Sequence, residues 1–248
     1  MAAISKLAFG LVAAFGLVVA VGTSTGLALA QPGESEAAGR ETAPIDVTGY
    51  WVSVVYEDWK LRMVTPSPGV FDGLPLNDEG RRVGEAWDPD ADEAAGDACK
   101  AYGAPAIMRL PGRFHITWED DETLRIDTDY GEQTRLLHFT ETSPGAPTRQ
   151  GDSFAQWQPA PGGTGGTLKV TTDNLLPGYL RKNGAPYSDQ ASMIEYYNLH
   201  TLPNGDVYLS ITTRVTDPLF FTGPAMTSTD LRRLPDDGGW NPTPCSVR

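Results

Sequence analysis

Past Ala106 the sequence is a succession of short alternating runs cut by turn residues, and few folds accept such a pattern. Phe114 to Trp118, Thr123 to Thr128 and Thr134 to Phe139 alternate apolar and polar side chains, separated by Glu119-Asp120-Asp121-Glu122 and by Asp129-Tyr130-Gly131-Glu132. Such spacing predicts a three-stranded meander. Further strands are predicted over Gly49 to Tyr56, Gln150 to Gln158, Thr167 to Thr172, Ser192 to Thr201 and Asp206 to Thr216, the last two flanking the hairpin signal Asn204-Gly205. Two helical patterns interrupt them. Asn77 stands as an N-cap ahead of a short helix ended by Asp88-Pro89, and a second piece could run from Asp90 to Lys100. The expectation is a mostly β chain: a single antiparallel β-barrel or strongly curled sheet, with one or two short helices between the first strand and the rest.

Turn geometry turns these runs into faces. If Asp120-Asp121-Glu122 and Tyr130-Gly131 are the meander turns, His115 faces Asp127, Ile116 faces Ile126, Trp118 faces Leu124, Asp127 faces Thr134 and Arg125 faces Leu136. The apolar face then collects Phe114, Ile116, Trp118, Leu124, Ile126, Leu137 and Phe139. Its opposite collects His115, Thr117, Arg125, Asp127, Thr134 and His138. A two-residue Asn204-Gly205 turn pairs Leu202 with Val207 and Glu195 with Arg214. That register puts Ile194, Tyr196, His200, Leu209 and Ile211 on a core face and Glu195, Tyr197, Tyr208 and Arg214 on the other.

Charge and processing narrow the function. Against 32 acidic residues the chain sets 19 Lys and Arg, a net charge of −13, which argues against a nucleic-acid partner. Residues 1–30 carry Lys6, the apolar run Leu7 to Val21 and a closing Ala28-Leu29-Ala30, the regions of a secretory signal peptide. Cleavage would leave no membrane span. Residues 31–44 read as a flexible leader and 45–248 as the barrel domain. The two cysteines, Cys99 and Cys245, are expected to pair in an oxidising compartment, with about 4 to 5 kcal/mol of stabilisation on the chain-entropy argument.

The chemical candidates follow from the faces. A carboxylate that accepts from one imidazole nitrogen leaves the other free for general acid-base work, so His115 and Asp127 form a candidate catalytic dyad. Arg125 could stabilise a developing anion beside it. The competing account of the same residues is the solvated side of a sheet. His115 and His138 stand on the outer strands of the meander, about 10 Å apart at the backbone, so no metal and no cofactor are expected. Nor is there a phosphate-cradling glycine loop, a nucleophile elbow or a zinc-protease motif. One basic patch, Tyr179 to Tyr187, could form the rim of a pocket for an aromatic or carboxylated ligand. With it, Tyr179, Arg181, Tyr187, Glu195, Tyr197, Arg214 and His138 are the candidate ligand-binding residues.

Gly49 to Val55, Pro177 to Gly184, Val215 to Pro218 and Trp240 to Cys245 together resemble a group of exported bacterial proteins of lipocalin-like, β-rich type, a group without an established activity. Gly49-Tyr50-Trp51 matches the lipocalin opening motif Gly-x-Trp. The resemblance implies a cavity for a hydrophobic or aromatic small molecule and transfers no catalytic residue. Three functions are therefore carried forward: an exported small-molecule binder, a cofactor-independent lyase, isomerase or hydrolase using His115 and Asp127, and an accessory subunit of a periplasmic assembly.

Overall fold

The computed structural model describes residues 39–248. The expected signal peptide, and the expected leader as far as residue 38, lie outside the described residues. Upstream of Ile45 the chain is already built into the fold: Trp157 Nε1 donates to the Gly39 carbonyl at 2.6 Å, and the Arg40 amide to the Asp121 carbonyl at 2.9 Å. Glycine is required at 39 because a Cβ there would fall 2.2 Å from Phe139 Cγ.

Nine strands close into a barrel. In chain order they are β1 (Gly49–Val54), β2 (Arg113–Trp118), β3 (Thr123–Thr128), β4 (Thr134–His138), β5 (Asp152–Pro159), β6 (Gly166–Asp173), β9 (Ser192–Thr201), β10 (Val207–Thr216) and β11 (Ala225–Leu234), with β7 (Gly178–Arg181) and β8 (Ala185–Tyr187) forming a separate hairpin. Around the wall the order is β1, β11, β10, β9, β6, β5, β4, β3, β2. An odd ring cannot alternate direction everywhere, so one neighbouring pair must run parallel. That seam is β4 with β5, joined only by Leu137 with Ser153 and His138 with Phe154, where a wholly antiparallel wall was expected.

The meander register is the one that turn arithmetic predicts: His115 opposite Asp127, Ile116 opposite Ile126, Arg125 opposite Leu136, Asp127 opposite Thr134. The β9–β10 hairpin is not. Val207 pairs with Thr201, Thr213 with Glu195 and Arg214 with Ile194, because Pro203-Asn204-Gly205 forms a three-residue loop, with Gly205 at φ 89° and Leu202 closing onto Asp206. One residue of slip turns β9 over. Glu195 and Tyr197 therefore point into the barrel, Tyr196 and His200 lie exposed, and Arg214 stands on the outer wall apart from Glu195.

β11 was absent from the expected strands. Its sequence, Ala-Met-Thr-Ser-Thr-Asp-Leu-Arg-Arg-Leu, is mostly polar, yet it pairs with both β1 and β10 and closes the ring. Four short α-helices rather than one or two occupy the connection from β1 to β2: α1 (Trp59–Met63), α2 (Asp78–Glu85), α3 (Pro89–Ala94) and α4 (Ala104–Ile107). The Asn77 side chain caps α2 by accepting from the Gly80 amide at 2.8 Å, as its position predicts. Pro89, which ends one helical pattern, opens the next, with Asp88 accepting from the amides of Asp90 and Ala91. Among the described residues no helix is long and apolar enough to cross a membrane.

This connection stoppers one end of the barrel. Tyr102, Ile107 and Met108 join the same core cluster as Trp51, Phe114, Ile116, Leu124, Ile126, Leu168 and Leu209. At the other end Trp118, Phe139 and Trp157 stack in series with centroids 5.4 Å apart at each step. The interior side chains are fully buried, and none of the described cavities is lined by Trp51, Phe114, Leu124, Leu137, Ile211 or Leu231. Each such aliphatic side chain contributes about 1.5 to 3 kcal/mol. Along the barrel axis these side chains form a packed core. Cys99 and Cys245 are joined in a disulfide, and Thr243 exchanges backbone hydrogen bonds with Gly131 and Asp129, which fixes the tail along the β3–β4 turn.

Candidate functional site

The expected His115–Asp127 dyad is adjacent in register but is not joined by a hydrogen bond. Arg125 Nε donates to Asp127 Oδ2 at 2.8 Å and Thr134 Oγ1 to Oδ1 at 2.5 Å, which occupies both carboxylate oxygens. Burial raises the Asp127 pKa, but these two donors and the charges of Arg125 and His115 outweigh it, and the net direction is downward. The imidazole stacks flat on Tyr50 at 4.0 Å, with Trp240 edge-on at 6.4 Å. Arg125 also reaches Glu119 at 3.1 Å, so its charge is spent on two carboxylates. The group is half-exposed on the outer wall, one guanidinium shared between two carboxylates.

The remaining candidates disperse. His138 lies on the same outer wall, its Nδ1 3.3 Å from Thr123 Oγ1, with β3 between it and His115. Among the described residues no group of three or more His, Cys, Asp or Glu is assembled to hold a metal. Tyr179 donates its hydroxyl to Asp92 at 2.8 Å, and Tyr187 is buried in the cluster under the helical connection with Phe71, Leu76 and Ala185, so neither faces a ligand. Burial and the Asp92 carboxylate drive the Tyr179 pKa upward. Glu195, with no exposed side-chain area, takes Arg135 in a bidentate pair, Nη1 to Oε1 at 3.2 Å and Nη2 to Oε2 at 2.7 Å. Burial works against the Arg135 charge, but Glu195 beside it carries the net shift upward.

Arg181 is different, because the fold brings it to other cations. A cavity of about 280 Å³ opens at the stoppered end of the barrel, walled by Arg62, Arg109, Arg181, Lys182, Tyr130 and Leu110. These residues come from α1, from the segment after α4, from the β3–β4 turn and from the end of β7. Asp58, in the left-handed region at φ 47°, starts α1 and holds Arg109 through a 3.0 Å ion pair. Arg109 then offers its carbonyl to Arg62 Nε at 3.0 Å. Arg181 Nη1 donates to the Asp72 carbonyl at 2.8 Å. Lys182 Nζ donates to Tyr130 Oη at 3.2 Å and to the tail at Ser246 Oγ and the Arg248 backbone oxygen, both at 2.8 Å.

Arg62 is the exception in this network. Its side chain is only 3% exposed, yet Nη1 and Nη2 have no hydrogen-bond partner, and Glu57 Oε2 stands 3.7 Å from Nη1, beyond hydrogen-bond reach. Burial, then the neighbouring Arg109 charge, pull its pKa down to about 10, against the opposing pull of Glu57 and Asp58. Arg181 is lowered by the same two causes in the same order. The guanidinium keeps a long ion pair with Glu57, and its two terminal nitrogens are left without a hydrogen bond, which is costly for a buried polar group.

Arg62 and Arg109 were missed in the sequence because nothing local marks them. The only hint is Trp59-Lys60-Leu61-Arg62-Met63, an aromatic and cationic run in an acidic chain. Site and fold together define a closed barrel with a cationic chamber at its capped end. Comparison with known proteins adds no relative: no family model, no curated protein and no solved structure matches this chain.

Proposed function

We propose that this is an exported small-molecule-binding barrel protein whose ligand carries a carboxylate or a comparable small anion, seated against Arg62 in the chamber with Arg109 and Arg181 around it. The observation that carries the reading is the buried tip of Arg62, whose terminal nitrogens make no hydrogen bond and whose ion pair with Glu57 is long, at 3.7 Å. An anion presenting two oxygens satisfies a guanidinium fork in a bidentate manner, which a lone Lys cannot match. Leu110 and the Tyr130 ring supply an apolar wall, so an aromatic acid suits the chamber. The disulfide and the lipocalin-like resemblance support the exported character.

Benzoate and acetate titrated into the full chain provide the test, by calorimetry and by thermal unfolding. Ligand at about a hundred times its Kd raises the stability of the folded state by about 2.7 kcal/mol. Arg62→Met should abolish that rise for both anions. Absence of any rise with the unsubstituted protein would overturn the reading.

A further inference from the structure

Beside the chamber lies a second depression of about 590 Å³, walled by Val52, Val55, Trp59, Met63 and Pro111, with Arg113 as its one charged lining side chain. The two cavities share Met63 and Pro111, so they meet edge to edge. Helix α1 forms the partition. Trp59 and Met63, one turn apart on a single face of it, are 55% and 59% exposed. Tyr56 and Val64, at either side of the helix, are exposed as well. Clustered apolar exposure of this kind marks a surface that is covered in use.

Resting on the anion reading above, we infer that the ligand is an amphiphilic anion: its carboxylate is held by Arg62 and Arg109 in the chamber, and its hydrocarbon chain runs over Met63 and Pro111 into the Trp59 trough. Charge complementarity fixes the head, since the chamber is cationic in a chain of net charge −13. The two lining residues that the cavities share, Met63 and Pro111, fix the direction of the tail. A free alkyl carboxylate and the head of an anionic lipid offer the same chemistry to this site. The occupant assigned here is the monomeric molecule, because a chamber set behind α1 admits one head group.

Calorimetry with butanoate, hexanoate, octanoate and decanoate, each kept below its micellar concentration, tests the assignment. Affinity should rise about two- to fourfold per methylene as the trough fills. Trp59→Ser, at an exposed position that lines the trough and not the chamber, should flatten that rise and leave butanoate affinity unchanged. Arg62→Met should remove binding of the whole series. If butanoate binds through Arg62 and affinity stays flat with chain length, the amphiphile assignment falls while the anion site stands. If no carboxylate binds, both fall together. Sedimentation with vesicles of anionic phosphatidylglycerol, without binding of any monomeric carboxylate, would overturn the assignment in favour of a membrane surface.

Discussion

Arg135 and Arg62 are both withdrawn from water, and their surroundings differ. Arg135 projects from β4 to the barrel axis, where Glu195 meets it with two parallel hydrogen bonds and neither side chain retains any exposed area. Arg62 projects from α1 beside a chamber walled by Arg109, Arg181 and Lys182, and its terminal nitrogens make no hydrogen bond, with Glu57 as an ion-pair partner 3.7 Å away. The first is closed at both terminal nitrogens, with only Nε left without a partner, and belongs to the fold. The second is a loose ion pair without hydrogen bonds, and the protein keeps it against the penalty of burying charge.

Substitution should separate the two arginines most sharply at Arg135. Arg135→Met strands Glu195 in the core and should lower unfolding free energy by about 3 to 5 kcal/mol, whereas Arg135→Met with Glu195→Leu should return close to the starting stability. Chemical denaturation of the three proteins measures both. A double variant as unstable as the single one would show that the pair contributes more than mutual neutralisation.

Next in size is the tail. Cys99→Ser with Cys245→Ser should lose about 3 kcal/mol, less than the chain-entropy value for so long a loop, because the backbone bonds of Thr243 to Gly131 and Asp129 survive. The tail also holds Lys182 through Ser246 and Arg248. Reduction should therefore weaken anion binding as well, while leaving Arg135 and Glu195 untouched.

Asp92 extends the comparison to an anion that the fold does satisfy. It accepts from Trp87 Nε1 at 2.8 Å, Lys100 Nζ at 2.6 Å and Tyr179 Oη at 2.8 Å. Burial raises its pKa, the three donors lower it further than that, and the net direction is downward. With the folded value below the unfolded one, its contribution is present above the ordinary carboxylate range and is lost as pH falls through the depressed value. Asp92→Asn should cost about 1 to 3 kcal/mol near neutral pH and flatten the stability profile below about pH 4, as thermal melts across that range would record.

Arg62→Met should show the smallest change in stability, within about 1 kcal/mol of the parent, since the charge it removes makes no hydrogen bond through its terminal nitrogens and only a long ion pair with Glu57, and the apolar stem is kept. A loss of 3 kcal/mol or more would place Arg62 with Arg135 as a residue of the fold and end the comparison.

The meander was readable from the sequence because short polar turns fix register and the period-two pattern fixes faces, so His115 opposite Asp127 followed from counting. The cap on α2 was readable for the same local reason, one side chain and one amide three residues on. The β9–β10 register was not, since Asn204-Gly205 fits a two-residue turn as well as the observed loop beginning at Pro203, and a single residue decides whether Glu195 faces solvent or the axis. Strand β11 carries too few apolar residues to announce itself. It is a strand because β1 and β10 offer it two edges.

By itself, then, the amino-acid order determined what nearest neighbours can enforce: alternation, turns, caps, the acidic charge balance and a pair of cysteines with no other partner of their kind. The tertiary structure decided what needs distant segments to meet. Closure of an odd ring through one parallel seam, the burial of Glu195 against Arg135, and the gathering of Arg62, Arg109 and Arg181 into one chamber all depend on contacts between residues far apart in the chain. Their physical reason is common to all three: desolvation acts on the assembled surface, and no window of sequence carries that surface.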